Sequence, residues 1–246
     1  MNIKILEDSV ELGEATAQHC ARILNKAIAE KNSARLLLST GKSQFETIRY
    51  LINQEVDWEK VEMFHLDEYV DLSEKHQASF RKYLKERFTS KVTLKESYFV
   101  DGEGNIEENI KNLNMVIRES PIDVALIGIG ENAHIAFNDP PANFDTKEPF
   151  ILVNLDDACK KQQVGEGWFK TMDDVPKQAI TMSVYQILQS KVIISPVPFS
   201  SKAKAIKETM ENEKTNKIPA TALKDHKDFT LYLDKESSSL LDVNQL

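Results

Sequence analysis

The chain has 246 residues, 41% of them hydrophobic and 28% charged, which excludes disordered and fibrous classes. Lys and Arg number 31 against 39 Asp and Glu, a net charge of −8, and this balance with no basic stripe argues against a nucleic-acid partner. The longest apolar stretch, Val124 to Gly130, is far below the ~20 residues that span a bilayer, Glu7 and Asp8 interrupt any signal-peptide core, and Cys20 and Cys159 form no CxxC pair, so a cytoplasmic chain without membrane contact is expected.

In chain order, apolar Val10, Ile23, Leu24, Ala27 and Ile28 mark a first helix, and RLLLS from Arg35 to Ser39 a buried strand. Ser43 with Glu46 spells a capping box that predicts a helix start. Val61 to Leu66 reads as a strand, FRKYLKERF from Phe80 as a helix, Tyr98 to Val100 as a short strand, and Ile106 to Arg118 as a helix. Ile122 to Gly128 is the most apolar strand. Strands near Phe150 to Leu155, Lys191 to Ile194 and Phe229 to Leu233 then alternate with helices near Ser183 to Gln189 and Ser201 to Glu211. No repeat and no Pro/Gly/Ser linker divides the chain, so one domain over residues 1–246 is expected. The alternation predicts an α/β fold, a mostly parallel Rossmann-like sheet with helices on both faces. Such sheets bind ligands beyond the carboxyl ends of their strands, which directs attention to three loops.

The first loop, LLLSTGKS, turns from strand to helix at Thr40, Gly41, Lys42 and Ser43, where amides, a cation and hydroxyls can hold an anion. Leu36 stands where a nucleotide P-loop needs its first glycine, so that motif is rejected; an ordinary capped turn explains the loop equally well. In the second, HLDEYV, Asp67 follows a strand directly and can take a proton from a carbon beside a carbonyl if water is excluded, although such carboxylates are more often solvated. His65 and His76 lack any metal-ligand spacing, and no metal is expected. In the third, GIGENAHIAFNDPP, Gly128 and Gly130 permit close backbone approach, and His134 has Asn132 and Asp139 nearby to orient it. A structural histidine in a turn fits this segment slightly better when it is taken alone.

Together, in this order, LSTGKS, HLDEYV and GIGENAHIAFNDP resemble the glucosamine-6-phosphate deaminase/isomerase family, as do DDVPKQAITMSV, SSKAKAI and IPATALKDH. The resemblance covers nearly the whole chain. It implies that Asp67 is the base moving a proton between C2 and C1 and that His134, flanked by Asn132 and Asp139, opens the pyranose ring. It also implies that Thr40, Gly41, Lys42, Ser43, Gly128 and Lys202 form the substrate and phosphate site, with no cofactor or metal. Three departures stand out: Asn132 replaces the family's Asp, Asp139 its Glu, and Gly167 its phosphate-binding Arg, for which Lys160, Lys161 or Lys170 are the candidate substitutes. The expected activity is conversion of glucosamine 6-phosphate to fructose 6-phosphate and ammonia. A 6-phosphogluconolactonase-type activity and a catalytically weakened sugar-phosphate sensor are the alternatives, and a homo-oligomer is left open.

Overall fold

The computed structural model describes residues 1–165 and 167–242; residues 166 and 243–246 of the expected domain lie outside them. The elements run β1 (Asn2–Leu6), α1 (Ser9–Lys31), β2 (Ala34–Leu38), α2 (Phe45–Leu51), β3 (Val61–His65) and β4 (Asp67–Tyr69). Then come α3 (Phe80–Leu84, prolonged by a π-turn over Lys85–Thr89), β5 (Glu96–Tyr98), α4 (Ile106–Arg118), β6 (Val124–Leu126) and β7 (Phe150–Asn154). The chain closes with α5 (Asp157–Gly165), β8 (Gln178–Met182), α6 (Val184–Leu188), β9 (Val192–Val197), α7 (Ala203–Glu211) and β10 (Phe229–Asp234).

Among the described residues, a seven-stranded sheet in the order β1-β10-β9-β6-β2-β3-β5 is parallel at every pairing. Its strands alternate sides. Leu36, Leu38, Met63, Val124 and Ile194 pack with α1, α2 and α3, while Leu37, Phe64, Ala125, Ile193 and Leu231 pack with α4, α6 and α7. Two buried faces account for the near-continuous apolar strands. The expected parallel α/β architecture is therefore present, and no helix among the described residues is long and apolar enough to cross a membrane.

Local chemistry sets the boundaries. Asp8 starts α1 by accepting from the amides of Val10 and Glu11 at 2.8 and 2.9 Å, and Asn32 ends it in the left-handed region at φ 57°. The capping box expected at Ser43 is not formed. Ser43 lies inside a 3-10 turn, Lys42–Gln44, and α2 begins after it, so Glu46 bonds Arg49 instead.

A second sheet corrects the expected single one. β4, β8 and β7 pair antiparallel in that order, so Phe150–Asn154 belongs here and Asp67–Tyr69 is a strand, not a solvated turn. Leu66 joins the two sheets: its amide donates to Leu38 O at 3.2 Å in the main sheet, and its carbonyl accepts from Met182 N at 2.7 Å in the small one. The chain thus changes sheet immediately before Asp67.

Alternation along β4 sends Asp67 and Tyr69 to one side and Glu68 to the other. The fully buried Glu68 carboxylate accepts from Ser79 Oγ (2.7 Å), Arg81 N (2.9 Å), Tyr69 N (3.0 Å) and Arg81 Nε (3.3 Å). Arg81 also donates to Asp101 at 2.5 Å and to Glu103 at 2.8 Å. Removing the cation leaves a buried carboxylate without its partner, a change that costs about 3–5 kcal/mol in other proteins. Arg81→Met should lower unfolding free energy by that order in urea titration, and adding Glu68→Gln should recover part of it. A loss below ~1 kcal/mol would show that Glu68 is held by its amide and hydroxyl donors alone.

Candidate active site

Loops from the carboxyl ends of β2, β3, β6 and β9 surround one cavity of about 440 Å³. These four strands are adjacent in the order β9-β6-β2-β3. From β2 the chain builds outward to β3 and β5 in one direction and to β6, β9 and β10 in the other, so the cavity lies at the switch point of the sheet.

Part of the cavity wall is built for an anion. Gly41 adopts φ 101°, and a Cβ there would meet nothing within 4 Å, so the conformation and not the space calls for glycine. Tyr83 Oη donates to Gly41 O at 2.9 Å, and the Ser39 hydroxyl accepts from Gly128 N at 3.1 Å, tying the loops after β2 and β6 together. Thr40, Gly41, Lys42, Ser43 and Gly128 all line the cavity, and Lys42 Nζ lies 5.8 Å from the Trp168 ring centre. Lys202 enters from the turn before α7; it is 8% exposed, and its Nζ is 3.8 Å from Glu131. Lys160, Lys161 and Lys170 do not line the cavity. Gly167 has φ 83°, with its amide donating to Val164 O and Trp168 N to Gln163 O, a left-handed helix stop that disfavours arginine at this position.

Asp67 and His134 line the same cavity. His134 Nδ1 is 2.5 Å from Asn132 Oδ1 and 3.3 Å from Asp139 Oδ1, and Asn132 Nδ2 donates to Asp139 at 3.1 Å. Two acceptors at Nδ1 place the ring proton there and leave Nε2 as the working nitrogen. Asn132 and Asp139 therefore stand behind the imidazole and do not line the cavity. Gly130 forms the floor under the ring: a Cβ would lie 2.2 Å from His134 Cε1.

The carboxyls differ sharply. Burial, then the charges of Glu68 and Asp139, push Asp67 well above its ordinary range, opposed by the Phe137 amide. Burial also acts upward on Asp139, but its bonds to His134 and Asn132 hold it below the usual range. His65 is turned into the core, accepting from Val100 N at 2.8 Å, and burial lowers it to about 3; His76 accepts from Ala78 N at 3.1 Å and stacks on Phe169.

Several lining residues carried no legible signal. Phe45, Phe80, Phe137, Trp168 and Phe199 give the cavity aromatic walls, and α5, absent from the expected elements, contributes Gln162 and Gln163. Phe199 holds φ 84° and ψ 144°, a region normally reserved for glycine, with its amide bound to Asp234 Oδ2 at 2.9 Å.

A raised carboxyl stabilises the fold in its protonated form; that contribution is complete below the ordinary value of ~3.9 and is lost as pH rises through the raised one. Asp67→Asn cannot ionise. Its melting temperature should match wild type near pH ~4 and exceed it increasingly towards pH ~8. A difference independent of pH, measured by calorimetry, would contradict the burial of an ionisable group here.

A family model described as glucosamine-6-phosphate isomerases/6-phosphogluconolactonase matches residues 7–232. The glucosamine-6-phosphate deaminase of Streptococcus sanguinis (strain SK36) is 34% identical over 242 residues, covering 98% of this chain and 99% of its own. Among solved structures, a monomeric glucosamine-6-phosphate deaminase aligns with a TM-score of 0.88 at 28% identity, over 98% of this chain and 100% of that one. A 6-phosphogluconolactonase from Thermotoga maritima aligns with a TM-score of 0.78 at 16% identity over 95% and 98%, a likeness of fold alone. The matches run through all the strand ends that build the cavity, and the chain belongs to the glucosamine-6-phosphate isomerase/6-phosphogluconolactonase family.

Proposed function

We propose that the protein is a glucosamine-6-phosphate deaminase, converting glucosamine 6-phosphate and water to fructose 6-phosphate and ammonia. The observation that carries this reading is that a buried carboxylate and an oriented imidazole line the same cavity as a Thr-Gly-Lys-Ser anion loop and Lys202. The full-length similarity to deaminases supports it over the lactonase alternative.

In this reading the sugar phosphate is held by Thr40, the backbone at Gly41, Lys42, Ser43 and Lys202, which fixes the carbon chain along the cavity. His134 Nε2 passes a proton between the ring oxygen and the anomeric hydroxyl, opening the pyranose to the aldehyde. Asp67 then takes the C2 proton and returns it to C1, producing an enolamine and next an imine at C2. Water adds to that carbon and ammonia leaves. The C2 ammonium of the substrate supplies a positive charge beside Asp67 that favours its ionised form. No cofactor or metal takes part. The small molecule is the only partner assigned, and the free, buried Cys20 and Cys159 accord with a reducing cytoplasm.

The decisive experiment incubates the purified protein with hexose, hexosamine and lactone 6-phosphates and detects ammonia, ketose and acid separately. Ammonia with ketose from glucosamine 6-phosphate is expected, and Asp67→Asn should abolish it while binding of the sugar phosphate persists. Acid from the lactone alone would establish the lactonase, and tight binding without turnover the sensor.

The departure at Asn132 has its own expected outcome. Asn132→Asp exchanges the 3.1 Å amide donor to Asp139 for a second carboxylate beside His134. The imidazolium is then favoured, so the alkaline limb of the pH–rate profile should move upward and turnover of the cyclic substrate should rise several-fold. Superimposable profiles would show that Asp139 alone supplies the charge.

A further inference from the structure

Gln163 lines the cavity although it is only 7% exposed. Its Oε1 accepts from Tyr69 Oη at 2.7 Å. Tyr69 is fully buried, with its ring centre 5.2 Å from Phe80, 5.1 Å from Phe137 and 5.4 Å from Phe169, so the hydroxyl cannot follow a wandering partner. The backbone of Gln163 is fixed as well, because Trp168 N donates to its carbonyl at 3.1 Å across the helix stop at Gly167. With Oε1 accepting from the Tyr69 hydroxyl, Nε2 is the carboxamide atom left to serve another partner. Among the described residues nothing accepts from Nε2, and the residue lines the cavity.

We propose that Gln163 Nε2 is a substrate-contacting donor that recognises a hydroxyl oxygen of the sugar chain, and that Tyr69 is a positioning residue acting through it. The assignment rests on the sugar-phosphate reading above. A neutral donor suits a hydroxyl, since the same cavity presents Lys42, Lys202, Thr40 and Ser43 for the phosphate. Tyr69 lies two residues after Asp67 on the same side of β4, so one short strand fixes both the buried carboxylate and the orientation of the amide. Specificity for the hydroxyl pattern is thereby tied to the strand that presents Asp67.

A double-mutant cycle tests this, with glucosamine 6-phosphate kinetics and calorimetric binding of glucose 6-phosphate, which keeps the hydroxyls and phosphate but has no amine to lose. Gln163→Ala should weaken glucose 6-phosphate binding and raise KM by about tenfold, with kcat changed less. Tyr69→Phe should raise KM about threefold, and should add nothing in the Gln163→Ala background. If Gln163→Ala does not fold, Gln163→Met, closer in volume, carries the same comparison. Unchanged affinity on losing the amide, or an equal effect of Tyr69→Phe in both backgrounds, overturns the assignment. Tight glucose 6-phosphate binding without ammonia release overturns the deaminase reading while still judging Gln163. Failure of wild type to bind any hexose 6-phosphate overturns both.

Discussion

A carboxylate that must stay out of water beside two others is the constraint around which this molecule is organised. Asp67 is 7% exposed, with Glu68 next to it in the chain and Asp139 close enough to raise its proton affinity. Each carboxylate has a different environment. Glu68 is turned away into a nest of amides, Ser79 and Arg81 that only partly offsets the upward push of its burial, Asp139 is held low by His134 and Asn132, and Asp67, also raised by burial, faces the cavity. Of these three acids Asp67 is the one that lines the cavity, and so the one placed to exchange a proton with a bound molecule.

The architecture makes this possible by switching sheets. A parallel strand would deliver Asp67 to a loose loop, as most residues at strand ends are delivered. Leu66 instead hands the chain from the large sheet to the small one, and β4 is clamped by β8 at once. The same strand β8 also accepts Asn138 Nδ2 at Met182 O (2.8 Å) and offers Thr181 Oγ1 to Phe137 N (3.0 Å). One small sheet thereby fixes the segment carrying Asp67 relative to the segment carrying His134, while the large sheet supplies the anion loop after β2.

The large sheet was legible because burial on both faces writes itself as short apolar runs such as RLLLS and VALIG. The small sheet was not. Asp67–Tyr69 carries two charges in three residues, and only pairing with β8 makes a strand of it; the edge strand β1 is mostly exposed and lacks an apolar run. The anion loop and the His134 segment stand out by residue type and order, and Thr40, Lys42, Asp67, His134 and Lys202 all line one cavity. The aromatic walls, Gln163 and the strained Phe199 were invisible, because their importance comes from which side of a loop faces inward. Gly167 shows the limit of matching by position: a departure that reads as a lost cation is the stop that ends α5.

The contact between Gly130 and His134 bears on how such a site can be remodelled over evolutionary time. With a hypothetical Cβ only 2.2 Å from Cε1, the surface beneath the imidazole admits no side chain at all. The proton-handling side of the cavity is thus closed to gradual adjustment from below, and any drift towards a different sugar must travel through the walls that Phe45, Trp168, Gln163 and Phe199 line. A chemistry of fixed geometry under an exchangeable lining can spread across many substrates while leaving its reacting groups where they are.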